Sequence, residues 1–549
     1  MEKPVRAAFI GAAVGALATL PGLGAGTLWD NSETAYGEVA REILLRHDWI
    51  VMHLNGQPWF VQPPLYFWIA AAFAHVFGAT AFALRLPSAL ASVAMAGVIA
   101  YVLAREAGER AGILGGIILS SALMQAVIGR LAIMDAVLDL AVMTALLMWF
   151  RGLETGKDRY YLYGTVAAAL GFLAKGPVAP VVALLVILPY AYWSRADVRV
   201  PRARAWVLCV AAFLAIVAPW FVALACRAGG ASVLVLIGHY TFGRYAGVIE
   251  NQSGPVWYYV PVLILGFFPW IAFLAPAIAY GTGEARRNRL WRLSFVWIVV
   301  PLLFFSFAQT KLPNYVALEL PGLAIVTALY FDAVARRGAT RWAVVAAAVV
   351  PVTIGLFAIA IRLFSHENRL TSAVASAVPP LVGAAAAIFL GSLVTAVLLV
   401  RRSTISAAPY ALAAATLAAI DVLAVAVLPH AEAFKPVPRL AAVIDRERRP
   451  GDVVAIQDVS GSNALVFYTQ PGVVMLASPG APRLRGAREP RRVICGASRV
   501  WVVAPRARPV FDPTYGRSRR EVAAAAKTAL FLYSGARCAP LGAALRFRR

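Results

Sequence analysis

Charge is scarce in this chain. Only 14% of its 549 residues are Asp, Glu, Lys or Arg, against roughly 25% in a soluble domain. That shortage, with a mean hydropathy of +0.72, excludes an ordinary soluble enzyme of this length. Acids are rarer than bases, 27 against 51, an excess that reads as the positive-inside bias of a many-span protein and as attraction to anionic head groups or phosphates. Four cysteines are too few for a disulfide framework. Cys209 and Cys226 lie in or beside an apolar run and read as inert. Cys495 and Cys538 lie in a polar tail, where an oxidising compartment would let them pair. Six histidines with no close-spaced pair on one helix give no strong metal signature. No Gly-rich nucleotide loop follows a strand, and no solenoid repeat is visible.

What is present is hydrophobic length. Apolar runs of roughly 20 residues recur, each long enough to cross a hydrocarbon core of about 30 Å. The fold class is an all-α polytopic membrane protein with a small C-terminal α/β domain. The first run, 7–26, follows Lys3 and Arg6, but PGLGAGTLWD is not a convincing cleavage site, so a retained span is expected. Basic clusters recur at Lys3/Arg6, Arg105/Arg110, Arg151/Lys157/Arg159, 195–204, 286–292, 336–341 and Arg401/Arg402. Placing all of them in the cytoplasm requires two spans between each consecutive pair. The segment 65–76 is short for a span and is laid on the outer surface. About 13 spans result, near 6–27, 85–104, 111–129, 136–152, 158–174, 177–194, 205–225, 256–280, 289–308, 314–335, 342–364, 378–400 and 408–428, with the N-terminus inside and the C-terminus outside.

Two domains follow: 1–429 in the membrane, including an outer loop 28–84 with two interfacial helices, and 430–549 as a soluble α/β domain. The tail carries a net charge of about +13, which suits anionic head groups or phosphates. GDVVAIQD, ALVFYT, GVVML and SRVWVVAP read as strands, and EVAAAAKTALFLY as a helix.

The polar residues gather on the outer face that this topology defines. In LWDNSETAYGEVAREILLRHDWI (28–50), Glu38, Glu42 and Asp48 read as the wet side of an amphipathic helix capped by Asn31 or Ser32. Asp30 and Glu33 sit where the chain leaves the membrane and can cap the helix or act as a general base. Asp135 is an N-cap or a second active-site carboxylate; Asp139, one turn deeper, reads as a packing group. Lys175 lies in a tight Gly-Pro turn, where a lysine either snorkels or meets a lipid phosphate. His239 and Arg244 in HYTFGRY, and Lys311 and Tyr315 in QTKLPNY, complete the set. Arg and Lys together suit a phosphate, the first as a fork and the second as a point charge.

Taken together, W-D-x-S-E-x-x-Y-x-E-x-A-R-E, P-P-L-x-x-W, R-L-P-S-A-L, R-x-x-x-x-D, F-L-x-K-G-P, H-Y-x-F-x-R-Y, F-x-P-W and K-L-P-x-Y follow one order. In that order the chain resembles the polyprenyl-phosphate-dependent glycosyltransferases of the GT-C fold. These are related to protein O-mannosyltransferases, and the chain is most similar to bacterial 4-amino-4-deoxy-L-arabinose–lipid A transferases. The resemblance implies an inner-membrane enzyme with a periplasmic active site and C-terminal domain. It would transfer a sugar, such as aminoarabinose or a hexose, with inversion from undecaprenyl phosphate to lipid A or another envelope glycan or protein. No nucleic acid is expected as a partner. The same resemblance makes Asp30, Glu33 and Asp135 the catalytic acids, and puts Lys175, Arg244, Lys311 and Tyr315 at the carrier phosphate. Tyr36, Gln62 and His239 would face substrate, His239 also being the candidate ligand of a divalent metal.

Three departures stand out. Ser32 replaces the acid of an Asp-Glu pair, Ala35 replaces an arginine, and Val61-Gln62 replaces a Glu-Lys pair. Two other classes compete with the enzyme: a lipid-linked sugar flippase, for which Asp421 is the one mid-membrane candidate, and a non-catalytic assembly protein acting through the basic tail.

Overall fold

The computed structural model describes the chain apart from residues 1, 30–31, 249–251, 285–287, 368–371, 402, 458, 460–461, 471, 477–492, 494, 507–517, 526 and 535–549, and apart from the side chains of 241, 284, 356–376 and 518. Its contacts divide into two compact units. One comprises Met1–Ala25, Trp49–Val51 and Phe60–Pro429; the other comprises Gly26–Asp48, Met52–Trp59 and His430–Arg549. The acid-bearing stretch within Gly26–Asp48 thus groups with the C-terminal segment.

The first unit is helical. Seven helices among the described residues are long and apolar enough to cross a membrane, eight if one bent pair counts as a span, and the chain is a multi-pass membrane protein. Small residues let its helices approach closely. A Cβ on Gly112 would lie 2.5 Å from the carbonyl oxygen of Ala100, and one on Gly116 would lie 2.9 Å from that of Ala96. A side chain at either position would push apart the helices Ala81–Ala107 and Glu109–Ser121. The helix Leu65–Phe77 has only 13 residues, about 20 Å at 1.5 Å per residue, shorter than a membrane core.

One expected span, 256–280, is not a single rod. It breaks between Gly266 and Trp270 with a bend of 106°. Pro269 brings no N–H to an intrahelical bond, and the exposed polar backbone is satisfied by protein. Phe268 O accepts from Leu123 N at 3.2 Å, and Trp270 Nε1 donates to Ser121 Oγ at 3.0 Å. Phe267, Trp270 and Phe273 are fully buried at the bend, the enclosure that irregular backbone needs if it lies within a bilayer.

The second unit contains a hairpin, β1 (His53–Leu54) with β2 (Gln57–Pro58), and a five-stranded sheet. The strands β3 (Val453–Ile456), β4 (Val474–Met475), β5 (Arg499–Pro505), β6 (Ser518–Ala525) and β7 (Thr528–Ser534) run in the order β4-β3-β5-β7-β6. The first three are parallel, and β7 and β6 add antiparallel. Two sequence readings are reversed here. ALVFYT forms most of the helix Ser462–Tyr468, which buries Leu465 and Val466 against one sheet face. EVAAAAKTALFLY forms the β6–β7 pair. Alanine favours helix in isolation, but Leu530 and Phe531 alternate between the two buried faces of the sheet, and tertiary burial overrides propensity.

The helix Glu33–Arg46 packs within this unit. Arg41 Nη2 donates to Val466 O at 3.2 Å and its guanidinium lies 5.4 Å above the Phe467 ring. The Asn55 amide closes the hairpin onto the chain at 472–473, donating to Val473 O at 2.8 Å and accepting from Gly472 N at 2.7 Å. Cys495 is disulfide-bonded; Cys538 lies outside the described residues.

Candidate active site

In the membrane unit the polar residues converge at helix ends. Asp135 is the first residue of the helix Asp135–Thr155 and Lys175 the last of Asp158–Lys175. A carboxylate at a helix start and an ammonium at a helix end each complement the local dipole. The two meet, with Lys175 Nζ 2.5 Å from Asp135 Oδ1. Asn314 Nδ2 donates to the same oxygen at 2.6 Å. The ammonium also lies 5.4 Å from the centroid of the Tyr315 ring, within cation–π range. Tyr315 leans on Phe305 at 5.0 Å. Asp135 and Lys175 are nearly buried, at 7% and 13% side-chain exposure, so water screens the pair weakly.

Lys311 is placed differently. Its ammonium donates to Ser306 O at 2.7 Å and Ala308 O at 2.9 Å, closing the last carbonyls of the helix Arg289–Phe307. Burial lowers its pKa from the ordinary lysine value. The segment bearing Arg244 is laced onto the same loop by its backbone. Arg244 O accepts from Thr310 N at 3.1 Å, Tyr245 O from Gln309 N at 3.0 Å, and Gln252 O from Lys311 N at 2.9 Å. HYTFGRY and QTKLPNY, far apart in sequence, therefore lie side by side.

His239 is exposed on the π-helix Val235–Phe242, edge-on to Tyr240. No three His, Cys, Asp or Glu side chains among the described residues gather as a metal site would need, so the described neighbours of His239 do not fit that role. Gln62 is buried, at 8% exposure, just before the Pro63-Pro64 pair.

The remaining candidates lie in the second unit. Asp30 is outside the described residues. Glu33 is buried, and its Oε2 accepts from Trp29 N at 2.8 Å; Ser32, the N-cap, makes no side-chain cap bond. Tyr36 sets its ring edge-on to Trp59 at 6.3 Å. Glu38 and Glu42 are buried, at 0% and 1% exposure, and do not face water as the sequence reading expects. The unit folds other surfaces over them. Glu38 lies 2.7 Å from Arg41 Nη2; burial pushes its carboxyl up to about 7, against the opposing pull of Arg41. Glu42 accepts from Gly56 N at 2.9 Å and Arg46 Nε at 2.8 Å.

Three participants, Asn314, Glu432 and Lys435, escape a reading of sequence. Asn314 adjoins Tyr315 in its motif and carries no charge to mark it. Glu432 and Lys435 fix the chain at Thr27. Thr27 N and Oγ1 donate to Glu432 at 2.9 and 2.6 Å, and Lys435 Nζ donates to Thr27 O at 2.8 Å while lying 3.9 Å over the Trp29 ring. Arg130 pairs with Asp421 at 2.9 Å and donates to Ala18 O at 3.0 Å.

Comparison with known proteins agrees with this architecture. The profile of the dolichyl-phosphate-mannose-protein mannosyltransferase family matches residues 61–222. An undecaprenyl phosphate-alpha-4-amino-4-deoxy-L-arabinose arabinosyl transferase of Photorhabdus laumondii is 30% identical over 351 residues, covering 62% of this chain and 62% of its own length. One from Yersinia enterocolitica is 32% identical over 322 residues, covering 55% of each. The matched region thus spans less than two thirds of these relatives. The crystal structure of ArnT from Cupriavidus metallidurans bound to undecaprenyl phosphate superposes with a TM-score of 0.79 at 20% identity, covering 97% of this chain and 98% of that one. The archaeal oligosaccharyltransferase AglB from Archaeoglobus fulgidus, in complex with an inhibitory peptide and a dolichol-phosphate, gives 0.51 at 11% identity, covering 91% and 69%. The resemblance to polyprenyl-phosphate-dependent glycosyltransferases holds in fold across the chain and in sequence over part of it.

Proposed function

We propose that this chain is an integral-membrane glycosyltransferase that moves a sugar from undecaprenyl phosphate to an envelope acceptor, with a phosphorylated glycolipid of the lipid A type as the first candidate. The observation that carries the reading is the Asp135–Lys175–Asn314–Tyr315 cluster, built at helix ends in a fold shared with a carrier-bound transferase. Its place is the bacterial inner membrane, with about 13 spans, the N-terminus cytoplasmic and the second unit periplasmic. Basic clusters on one side of the spans and a disulfide at Cys495, a bond that persists in oxidising compartments, support that orientation.

In the reaction an acceptor oxygen attacks the anomeric carbon as the bond from that carbon to the phosphate oxygen breaks. Negative charge grows on the departing polyprenyl phosphate, and fixed cations stabilise it most where water is scarce. Lys175 is the first such cation and Arg244 the second. Lys311 acts through the loop it closes, because its ammonium is already bonded to carbonyls. Asp135 holds Lys175 in place and neutralises it until the carrier phosphate takes over part of the ammonium's field. Asp30 is the preferred base for a hydroxyl acceptor, since Glu33 already caps the chain at Trp29. A phosphate acceptor is ionised without help, and positioning then carries most of the rate.

The direct test compares envelope glycolipids from strains with and without the gene by mass spectrometry. A sugar-sized mass on phosphorylated glycolipids that vanishes with the gene supports the reading; identical spectra contradict it.

A further inference from the structure

R-L-P-S-A-L at 85–90 and R-x-x-x-x-D at 130–135 are far apart in sequence, and the structure joins them. Ser88, fully buried on the helix Ala81–Ala107, donates from Oγ to Ile133 O at 2.7 Å. Ile133 lies two residues before Asp135, in the irregular stretch 129–134 that leads into the helix Asp135–Thr155. Backbone outside a helix or sheet must find its hydrogen bonds singly. Here Ile133 N donates to Leu131 O at 2.8 Å, and the Ile133 carbonyl is taken by Ser88. A helical serine commonly returns its hydroxyl to the carbonyl one turn back, as Ser120 and Ser121 do to Gly116 O and Ile117 O at 2.8 and 2.6 Å. The Ser88 hydroxyl instead crosses to a chain 45 residues away.

The helix turn bearing Ser88 is itself held. Arg85, also buried, donates from Nη1 to Leu23 O and Ala25 O, both at 3.0 Å, and Leu84 O accepts from Tyr66 Oη at 3.1 Å. Arg85 and Ser88 stand three residues apart, a spacing that shares one helix face. One turn of this helix is thus tied both to the chain leaving the first helix and to the approach to Asp135. Ile133 and Met134 are buried, so that approach cannot shift without repacking its surroundings. Asp135 needs such a hold, because its Oδ1 receives both Lys175 Nζ and Asn314 Nδ2. A carboxylate displaced by about 1 Å loses the geometry of both bonds, and misplacement on that scale costs about 100-fold in rate where positioned groups carry the chemistry.

We propose that Ser88 is a positioning residue for sugar transfer: its hydroxyl fixes the approach to Asp135 and, through that carboxylate, the ammonium of Lys175. The proposal deepens the transferase reading and rests on it for the part that Lys175 plays at the carrier phosphate.

The test uses full-length protein in phosphatidylcholine nanodiscs, with S92A as the matched control. Ser92 lies one turn further along the same helix, is buried, and accepts from Gln125 Nε2 at 3.0 Å. Reductive methylation with formaldehyde, read by mass spectrometry of the peptide containing Lys175, measures how firmly Asp135 holds the ammonium. S88A should raise the methylation rate of Lys175 about fivefold, as expected for one buried hydrogen bond lost; S92A should leave it within about twofold of wild type. Transfer from a polyprenyl-phosphate sugar donor is measured in a cycle with K175M. S88A alone should lower kcat about tenfold, and S88A added to K175M should lower it no further, since Ser88 acts through that ammonium. A hydroxyl that only braces the core would lower kcat by the same factor in both backgrounds. That result, or unchanged methylation of Lys175 in S88A, overturns the proposal. If S88A does not fold, S88C, which stays close in size and weakens the donor, decides by the same two readouts. Faster methylation in S88A with no transfer by wild type leaves the brace on Asp135 standing and removes the transferase reading.

Discussion

Lys175 and Asp135, 40 residues apart in sequence, close an ion pair of 2.5 Å between the end of one helix and the start of another. Asn314 shares the carboxylate and Tyr315 lies under the ammonium. The pair is nearly buried, so breaking it from one side leaves a charge without its partner, at a cost of about 3–5 kcal/mol.

That cost separates structure from chemistry. Lys175→Met should reduce kcat by about 10²–10³, as expected when a cation at developing charge is lost, and should lower the thermal midpoint. D135N/K175M, which removes both charges, should recover the midpoint without recovering kcat. Recovery of both in the double variant would make the pair a structural brace only.

Glu38 gives a pH prediction. Burial raises its carboxyl from the ordinary 4.5 to about 7. Between those values the folded state holds a proton that the unfolded state has released, so stability falls as pH rises through this window and levels above it. The raised value corresponds to about 3 kcal/mol at 1.36 kcal/mol per pKa unit. Glu38→Gln should flatten the dependence and raise the thermal midpoint at pH 8. A pH-independent midpoint between 4.5 and 7 in wild type would contradict the burial argument.

The clamp of Glu432 and Lys435 on Thr27 predicts a local effect. Lys435→Ala removes the hydrogen bonds to Thr27 and Glu432 and the contact with Trp29. At roughly 1 kcal/mol per bond, hydrogen exchange at 27–29 should accelerate about tenfold or more, while exchange in β3 and β5 stays unchanged. Uniform acceleration across the second unit would show that the clamp holds the whole unit rather than the loop.

Asp421 separates the enzyme from a flippase. It is paired with Arg130, which also bonds the end of the first helix, so its part is structural. The double substitution R130Q/D421N should retain at least about half of the transfer activity, because the charges leave together and two amides can still bond. Loss of all activity in a folded double variant would return Asp421 to a functional role.

The helical membrane architecture is legible because long apolar runs report directly on lipid. Asp135 and Lys175 stand out in the sequence as charges at the ends of apolar runs, but their meeting is seen only in the structure. Glu38 and Glu42 were misread because amphipathicity reports one buried face and cannot reveal a second surface folding over the other. ALVFYT and EVAAAAKTALFLY were exchanged because short apolar runs suit helix and strand equally; sheet order decides between them. The lacing of 244–252 onto 309–311, and the meeting of Thr27 with Glu432, depend on chain crossings that no local pattern encodes.

The central claim is that Lys175 serves sugar transfer from a polyprenyl-phosphate carrier. Purified protein should be given a radiolabelled undecaprenyl-phosphate aminoarabinose donor and a phosphorylated lipid A acceptor, and product should be counted. Wild type should transfer label to the acceptor, and D135N/K175M, folded to the same thermal midpoint, should transfer about 100-fold less. Equal transfer by the two proteins would contradict the account.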